Sequence, residues 1–451
     1  MTQPSSLVVR ELTTGTPMTS AHVARICDGY EIDALATGYV EREYLIYGQA
    51  HSYTGNAAGP IAVVEAPPCD YVTRIIVRRP RDGEACSGRV LMEPLNTSSG
   101  ADHDPLWCHV GALLEWCGDT WVGISTHAVS GLRLREHDPA RYADIDIATN
   151  DFGWDIITHV GNLLRSASKH SPLLEHDITR LYLGGYSQSG TETATYAVAF
   201  GAHTTLFDGY FPAARAASLA PISSGNSWIL PMEIGPIAPC PAPVLEVIPQ
   251  TDVEGFIARL TADQDYLNPG GAWVRRNDAD TDGDRYRLYE IAGAAHIGAM
   301  PGCDGRSDYP LSAMLRACLV RLFDWVEAGV APPRVPRIVL AEQGQISVAS
   351  TDEYGNAIGG VRAPHLDVPL ACYAVHSTPG ILCKLGGDQT LLAVPLLHRR
   401  YRDRDSYLAE FTASLDAAVG DGRVLAADRA PLLDHQIALS AAAFGFAASP
   451  G

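Results

Sequence analysis

At 451 residues, 46% of them hydrophobic, the chain is long enough to bury a large core, and α/β enzymes of this size often run as one domain. Its formal net charge of −19 counts against nucleic acid or an anionic membrane as a partner. No apolar run approaches membrane-spanning length. Met1-Thr-Gln-Pro-Ser-Ser6 also lacks a basic region followed by an apolar one, so the default compartment is cytoplasmic.

In chain order, Tyr44–Tyr47 and Tyr71–Val77 are rich in aromatic and β-branched residues and predict strands, as does Arg89–Met92. A polar loop, Asn96–Gly100, precedes a helical run through Trp107, Val110, Leu113, Leu114 and Trp116. The strand Thr120–Ile124 follows, then a long polar connection to a helix over Trp154–Leu164. There Ile156, Ile157, Val160, Leu163 and Leu164 recur at helical spacing. Arg180–Leu183, Phe207–Phe211, Val244–Ile248 and Arg287–Ile291 read as further strands. Leu311, Met314, Leu315, Cys318, Leu319, Leu322, Phe323 and Val326 stripe a helix that Gly329 ends. Helical signal returns over Ser406–Val419 and Pro431–Phe446. Strands alternating with helices imply a mostly parallel sheet covered on both faces. The expected organisation is one domain over 1–451, with 216–242 as a lid-like insertion and 334–451 as a C-terminal extension packed on the core.

The chemistry concentrates in three turns. Gly185-Tyr-Ser-Gln-Ser189 lies between a strand and a helix and nearly matches the G-x-S-x-G nucleophile elbow, which needs small residues around a serine on a strained turn. Gly185 supplies the first, and Ser189 with Gly190 the second. Ser187 would face a helix N-terminus, whose free N–H groups favour developing negative charge. The next strand ends at Gln250-Thr-Asp-Val-Glu254, offering Asp252, or alternatively Glu254, as an orienting carboxylate. The strand after that ends in Ala292-Gly-Ala-Ala-His-Ile-Gly298, a small-residue loop that folds His296 over the sheet edge. Serine, acid and histidine thus stand in α/β-hydrolase order. The first oxyanion donor is expected at the Gln188 backbone N–H and the second at Leu95 or Asn96. Tyr186, Trp228 and Met232 are expected to line the substrate pocket. Trp228-Ile-Leu-Pro-Met232 is an apolar cluster in the proline-rich 216–242 stretch, suited to roofing a bulky, mostly apolar ester or lactone.

Other features point nowhere further. Asp278–Asp284 begins like a calcium loop, but its twelfth position is Tyr289 and it enters a strand. Asp102-His-Asp104 has no further ligands at useful spacing. No metal or cofactor is expected. The ten cysteines contain no C-x-x-C. Cys108 and Cys117 are too far apart along one helix to bridge. The expectation is buried free thiols, with Cys372 and Cys383 as the pair available in an oxidising compartment.

Met92-Glu-Pro-Leu-Asn96, Asp138-Pro-Ala-Arg-Tyr142, the elbow Gly185–Gly190, Gln250-Thr-Asp-Val253, Glu290–His296 and Asp352-Glu-Tyr-Gly-Asn-Ala-Ile-Gly-Gly-Val-Arg362 together resemble bacterial α/β-hydrolase-domain proteins whose domain fills the chain. The resemblance implies an α/β-hydrolase fold, Ser187 as nucleophile and His296 as base. An acidic residue is expected where Gln250 stands, which is a departure. The elbow is also similar to that of cutinase, a shorter, disulfide-bonded group. The activity that follows is ester hydrolysis through an acyl-enzyme on a small-molecule substrate. The alternatives are acyl transfer, a lyase or cyclisation step on the same fold, cutinase- or lipase-like esterase activity, and a binding protein with a silent triad.

Overall fold

Ten strands form one sheet among the residues the computed structural model describes, which are 7–18, 35, 38–57, 59–166, 168–223, 225, 233–234, 237–255, 275–299, 303–343, 346–378 and 382–445. In chain order they are β1 Val8–Glu11, β2 Tyr39–Ala50, β3 Cys69–Pro80, β4 Arg89–Pro94, β5 Thr120–Ile124, β6 Arg180–Tyr186, β7 Gly209–Ala213, β8 Val244–Pro249, β9 Ala279–Thr281 and β10 Asp284–Ile291. Their spatial order is β1-β2-β3-β5-β4-β6-β7-β8-β10-β9. From β5 to β10 the neighbours are parallel; β1, β2, β3 and β9 run antiparallel at the two ends. Every residue of β5, β7 and β8 is buried. Such strands read as unbroken apolar runs because helices cover both faces.

The covering helices are α1 Pro105–Cys117, α2 Ala128–His137, α3 Gly153–Arg165, α4 Gln188–Ala199 and α5 Leu311–Ala328. Gly118 and Gly329 end α1 and α5 in the left-handed conformation that a glycine adopts without cost. Helix α2 falls in the connection read as merely polar. It buries only Ser130, Gly131 and Leu134, too narrow a stripe for periodicity to reveal. Strand β7 starts two residues later than expected, because the Asp208 N–H bonds the Leu181 carbonyl and Gly209 is the first residue paired with Tyr182. Among the described residues no helix is long and apolar enough to cross a membrane.

The C-terminal extension brings the hairpin β11 Ala371–Ala374 and β12 Asp388–Leu391 and the helices α6 Val394–Arg400, α7 Arg404–Gly420 and α8 Ala426–Ala443. Helix α8 begins five residues before Pro431 and carries it inside. Tyr401, Tyr407, Phe411, Leu415 and Leu432 form a second apolar cluster with Ala313 of α5. Arg316 of α5 ties it down through a buried pair with Asp428. The Asp352–Arg362 segment docks the extension on the sheet. Asp352 accepts from the Tyr354 and Asn356 N–H groups around left-handed Gly355. Gly359 and Gly360 then take positive φ where a Cβ would lie 2.2 Å from the Arg337 carbonyl and 2.7 Å from the Glu290 carbonyl. This close approach lets Val361 pair beside the end of β10.

The cysteine expectation needs correction. Cys303, not Cys372, is disulfide-bonded to Cys383. Cys372 is free, its thiol on the Gly355 carbonyl. Cys303 and Cys383, separated by 80 positions in sequence, are brought together by the docking of the extension.

Candidate active site

Because β4, β6, β8 and β10 are parallel, the loops after them gather at one edge, where open α/β sheets bind ligands. Ser187 follows β6 with φ 63° and ψ −119°. With Ala214 it is one of two described non-glycine residues at positive φ. Such strain persists only where the surroundings over-determine it. A Cβ on Gly185 would lie 2.3 Å from the Ser189 backbone, and one on Gly190 would lie 2.2 Å from the Ala213 carbonyl. Ser189 is not there for smallness alone: its hydroxyl lies 3.0 Å from both the N–H and the carbonyl of Tyr186, clipping the turn.

Three side chains meet at this edge. His296 Nε2 lies 3.0 Å from Ser187 Oγ. His296 Nδ1 lies 3.0 Å from each carboxylate oxygen of Asp252. Asp252 is 3% exposed and His296 5%. Burial lifts the Asp252 carboxyl above the ordinary aspartate range, against the pull of the His296 charge and hydrogen bond. Glu254, the alternative acid, faces away. It takes His376 Nε2 at 3.2 Å, the Gln250 amide at 2.7 Å and the Ala349 N–H at 3.2 Å. Burial would raise its pKa, but the His376 and Gln250 hydrogen bonds outweigh that and hold it below the usual glutamate range. Gln250, where an acid was expected, also accepts from the Gly293 N–H at 2.8 Å and so joins the acid loop to the histidine loop.

Two expected roles change. Tyr186 does not line a pocket. It is 1% exposed, and its hydroxyl donates to the His296 carbonyl. Its ring packs 4.6 Å from His109, whose pKa burial pushes down to about 3. Neither backbone N–H expected as the second oxyanion donor is free. The Leu95 N–H is bonded to the Ile124 carbonyl and the Asn96 N–H to the His103 carbonyl, both at 2.8 Å. Each is spent in backbone pairing. The Asn96 side chain instead donates to the Tyr186 carbonyl at 3.2 Å, joining this loop to the elbow. The next N–H, of Thr97, meets the side-chain oxygen of Gln188 at 2.7 Å. Gln188 is the first residue of α4, so its own N–H has no intrahelical acceptor. Trp228 and Met232 lie outside the described residues.

Residues 95–104 are held by charge. Asp102 pairs with fully buried Arg74 at 2.8 Å, and Asp104 pairs with Arg78. Arg74 also pairs with Glu43 at 2.8 Å. Behind the loop, Glu93 accepts from the Leu106 and Trp107 N–H groups at the start of α1, and burial pushes its pKa to about 8. Asp102-His-Asp104 is therefore a structural anchor. Three of the four acids of 278–284 are likewise engaged: Asp278 by Arg337, Asp280 by Arg287 and Arg334, and Asp284 by Arg276. Among the described residues no group of three His, Cys, Asp or Glu residues could hold a metal ion.

Sequence reasoning missed Thr97, Thr251 and His376. Thr251 Oγ1 accepts the His296 N–H at 3.0 Å and donates to the Val375 carbonyl at 2.7 Å. Its position beside the acid was the only available signal. His376, 122 residues from Glu254, had none.

No curated protein matches the chain. Among solved structures it is similar to an α/β serine hydrolase without a lid from Xanthomonas campestris, at 13% identity, covering 54% of this chain and 83% of that one with a TM-score of 0.28. It is also similar to an esterase from Pyrobaculum calidifontis, at 13% identity, 55% and 75% coverage and a TM-score of 0.29. The model of the α/β hydrolase domain family matches residues 3–434, and the chain belongs to that family.

Proposed function

We propose that the protein is a serine hydrolase that cleaves a carboxylic ester or lactone through an acyl-enzyme on Ser187. The observation that carries this reading is the unbroken contact series Asp252, His296, Ser187, with 3.0 Å at each joint. Nucleophile, base and orienting group must be in this reach for acyl transfer. Neutral His296 takes the Ser187 proton at Nε2 as Oγ bonds the substrate carbonyl carbon. The collapsing tetrahedral adduct expels the alkoxide, which receives that proton. Water then attacks the acyl-enzyme with the same proton traffic, releasing the acid and restoring Ser187. Asp252 fixes the tautomer with Nδ1–H pointing at it and stabilises the imidazolium. The Gln188 N–H is the first oxyanion donor, and the Thr97 N–H replaces Leu95 and Asn96 as the second. For Thr97 to serve, the incoming oxyanion displaces the Gln188 side-chain oxygen.

The substrate reading, a bulky and mostly apolar ester or lactone, rests on the apolar Trp228–Met232 cluster in the 216–242 stretch. Ser187→Ala should lower turnover of p-nitrophenyl butyrate by at least about 10⁴-fold and abolish fluorophosphonate labelling, with an unchanged melting temperature. Turnover that survives the substitution overturns the assignment. Products analysed by mass spectrometry with and without an added alcohol or amine separate hydrolysis from acyl transfer.

A further inference from the structure

The C-terminal extension reaches both loops that carry the proton-transfer pair. After β11, the Val375 carbonyl accepts from Thr251, which itself holds the His296 N–H. His376 bridges Glu254, two residues past Asp252, to the Lys384 carbonyl at 2.8 Å. On the far side of His296, Ile297 pairs with residues 385–387: its N–H bonds the Leu385 carbonyl at 3.1 Å, and its carbonyl takes the Gly387 N–H at 3.0 Å. The packing is tight. A Cβ on Gly387 would lie 2.6 Å from Ser307 and 2.9 Å from Ala295, and one on Gly305 would lie 2.4 Å from Ser377.

One covalent bond locks this contact. Past the histidine loop the chain makes an excursion that is closed by Ala299 pairing with Arg306 and by the Ser307 N–H on the Gly298 carbonyl. Cys303 lies in that excursion. Its disulfide partner, Cys383, has a carbonyl that takes the Ser377 N–H, the Ser377 hydroxyl and the Gly386 N–H. The bridge therefore joins the excursion that follows His296 to the segment that holds Ile297. Cys383 is buried, whereas Cys303 is partly exposed, so a small thiol has access to one sulfur.

We propose that the Cys303–Cys383 disulfide is a redox control on the placement of His296: oxidised, it holds 375–378 and 382–387 against the acid and base loops; reduced, it lets them drift, and turnover falls. This rests on the reading of Ser187, His296 and Asp252 given above. In the exchange, a thiolate of a small dithiol attacks Cys303 Sγ and the Cys383 thiolate leaves. The second thiol of the reductant then resolves the mixed disulfide. Two electrons pass from the dithiol, which becomes a cyclic disulfide, and two protons complete the protein thiols. Residues 375–378 and 382–387 act as positioning residues, since a shift of His296 by about an ångström costs rate rather than substrate affinity.

The test treats the full-length oxidised protein with dithiothreitol and follows free thiols, p-nitrophenyl butyrate kinetics and near-ultraviolet circular dichroism. The expected result is two additional thiols, a kcat lower by about tenfold or more, a KM changed less than twofold, a retained tertiary spectrum and recovery on reoxidation. Cys303→Ser with Cys383→Ser should reproduce the low kcat without responding to reductant, and Cys372→Ser should behave as the parent. Full reduction with unchanged kcat overturns the proposal, even if the melting temperature falls. So does a loss of activity that coincides with loss of the tertiary spectrum, since the bond is then a staple of the whole fold. If Ser187→Ala retains turnover, the reading of the site fails instead, whatever the reductant does.

Discussion

The two walls of loops around Ser187 are built on different terms. On the acid–base wall, short loops after β8 and β10 present Asp252 and His296, whose side chains would carry the proposed proton transfer. On the oxyanion wall, the loop after β4 presents backbone N–H groups, and two of them, at Leu95 and Asn96, are consumed by neighbouring carbonyls. Proton transfer needs particular side chains, so the first wall is written in residue types. An N–H is available from any residue but proline, so the second wall leaves no such mark. Its trace is indirect, in the buried Arg74–Asp102 and Arg78–Asp104 pairs that hold the loop.

The sharpest way to break the comparison is on the acid–base wall. Asp252→Asn should lower kcat by about 10³–10⁴-fold, because it presents the wrong tautomer and leaves the imidazolium uncompensated. Glu254→Gln should cost less than about tenfold by the same assay, since its oxygens face His376 and Gln250. The reverse ranking would move the acid to Glu254. On the oxyanion wall, Arg78→Met should destabilise the fold by about 3–5 kcal/mol in urea unfolding, because it strands the buried Asp104 carboxylate. It should also slow turnover of the remaining folded enzyme. A loss below about 1 kcal/mol would mean that the ion pair does not hold the loop.

Smaller effects test the surroundings. His365 sits in the seam behind the acid–base wall, its ring 5.3 Å from Phe411 and neither nitrogen hydrogen-bonded, with burial pushing its pKa down to about 3. In the unfolded chain it titrates near its ordinary ~6.5. The unfolded state therefore binds the extra proton as pH falls from about 6.5 towards 3, and stability drops across that window. His365→Leu should raise the melting temperature at pH 5 relative to the parent while changing it little at pH 8. An equal shift at both values would exclude titration as the cause. The smallest expected change is in Trp228→Ala and Met232→Ala. Both should alter the preference among ester chain lengths without abolishing short-ester turnover. An unaltered profile in both variants removes the apolar-substrate reading.

Much of the candidate site was legible because its geometry depends on local rules. Gly185 and Gly190 are required by contacts within a few residues of Ser187 or with the adjacent strand. Asp252 and His296 each follow directly on a strand end. Tyr186 was misread for an instructive reason: a residue flanking a nucleophile lies near substrate along the chain, but the elbow's geometry turns its ring into the core and its hydroxyl to the His296 carbonyl. Helix α2 was hidden by the narrowness of its buried stripe.

By itself, the sequence determined most of the order of strands and helices, the strand–turn–helix around Ser187 and the strand ends that Asp252 and His296 follow, because hydrophobic period, glycine sterics and strand ends act over a few residues. Tertiary structure alone brought Asp252 rather than Glu254 to His296, made Cys303 rather than Cys372 the partner of Cys383, and engaged the Leu95 and Asn96 N–H groups in backbone pairing. Each of those choices turns on which groups from distant parts of the chain come within hydrogen-bonding or covalent reach, and that is set by how the sheet, its loops and the extension pack.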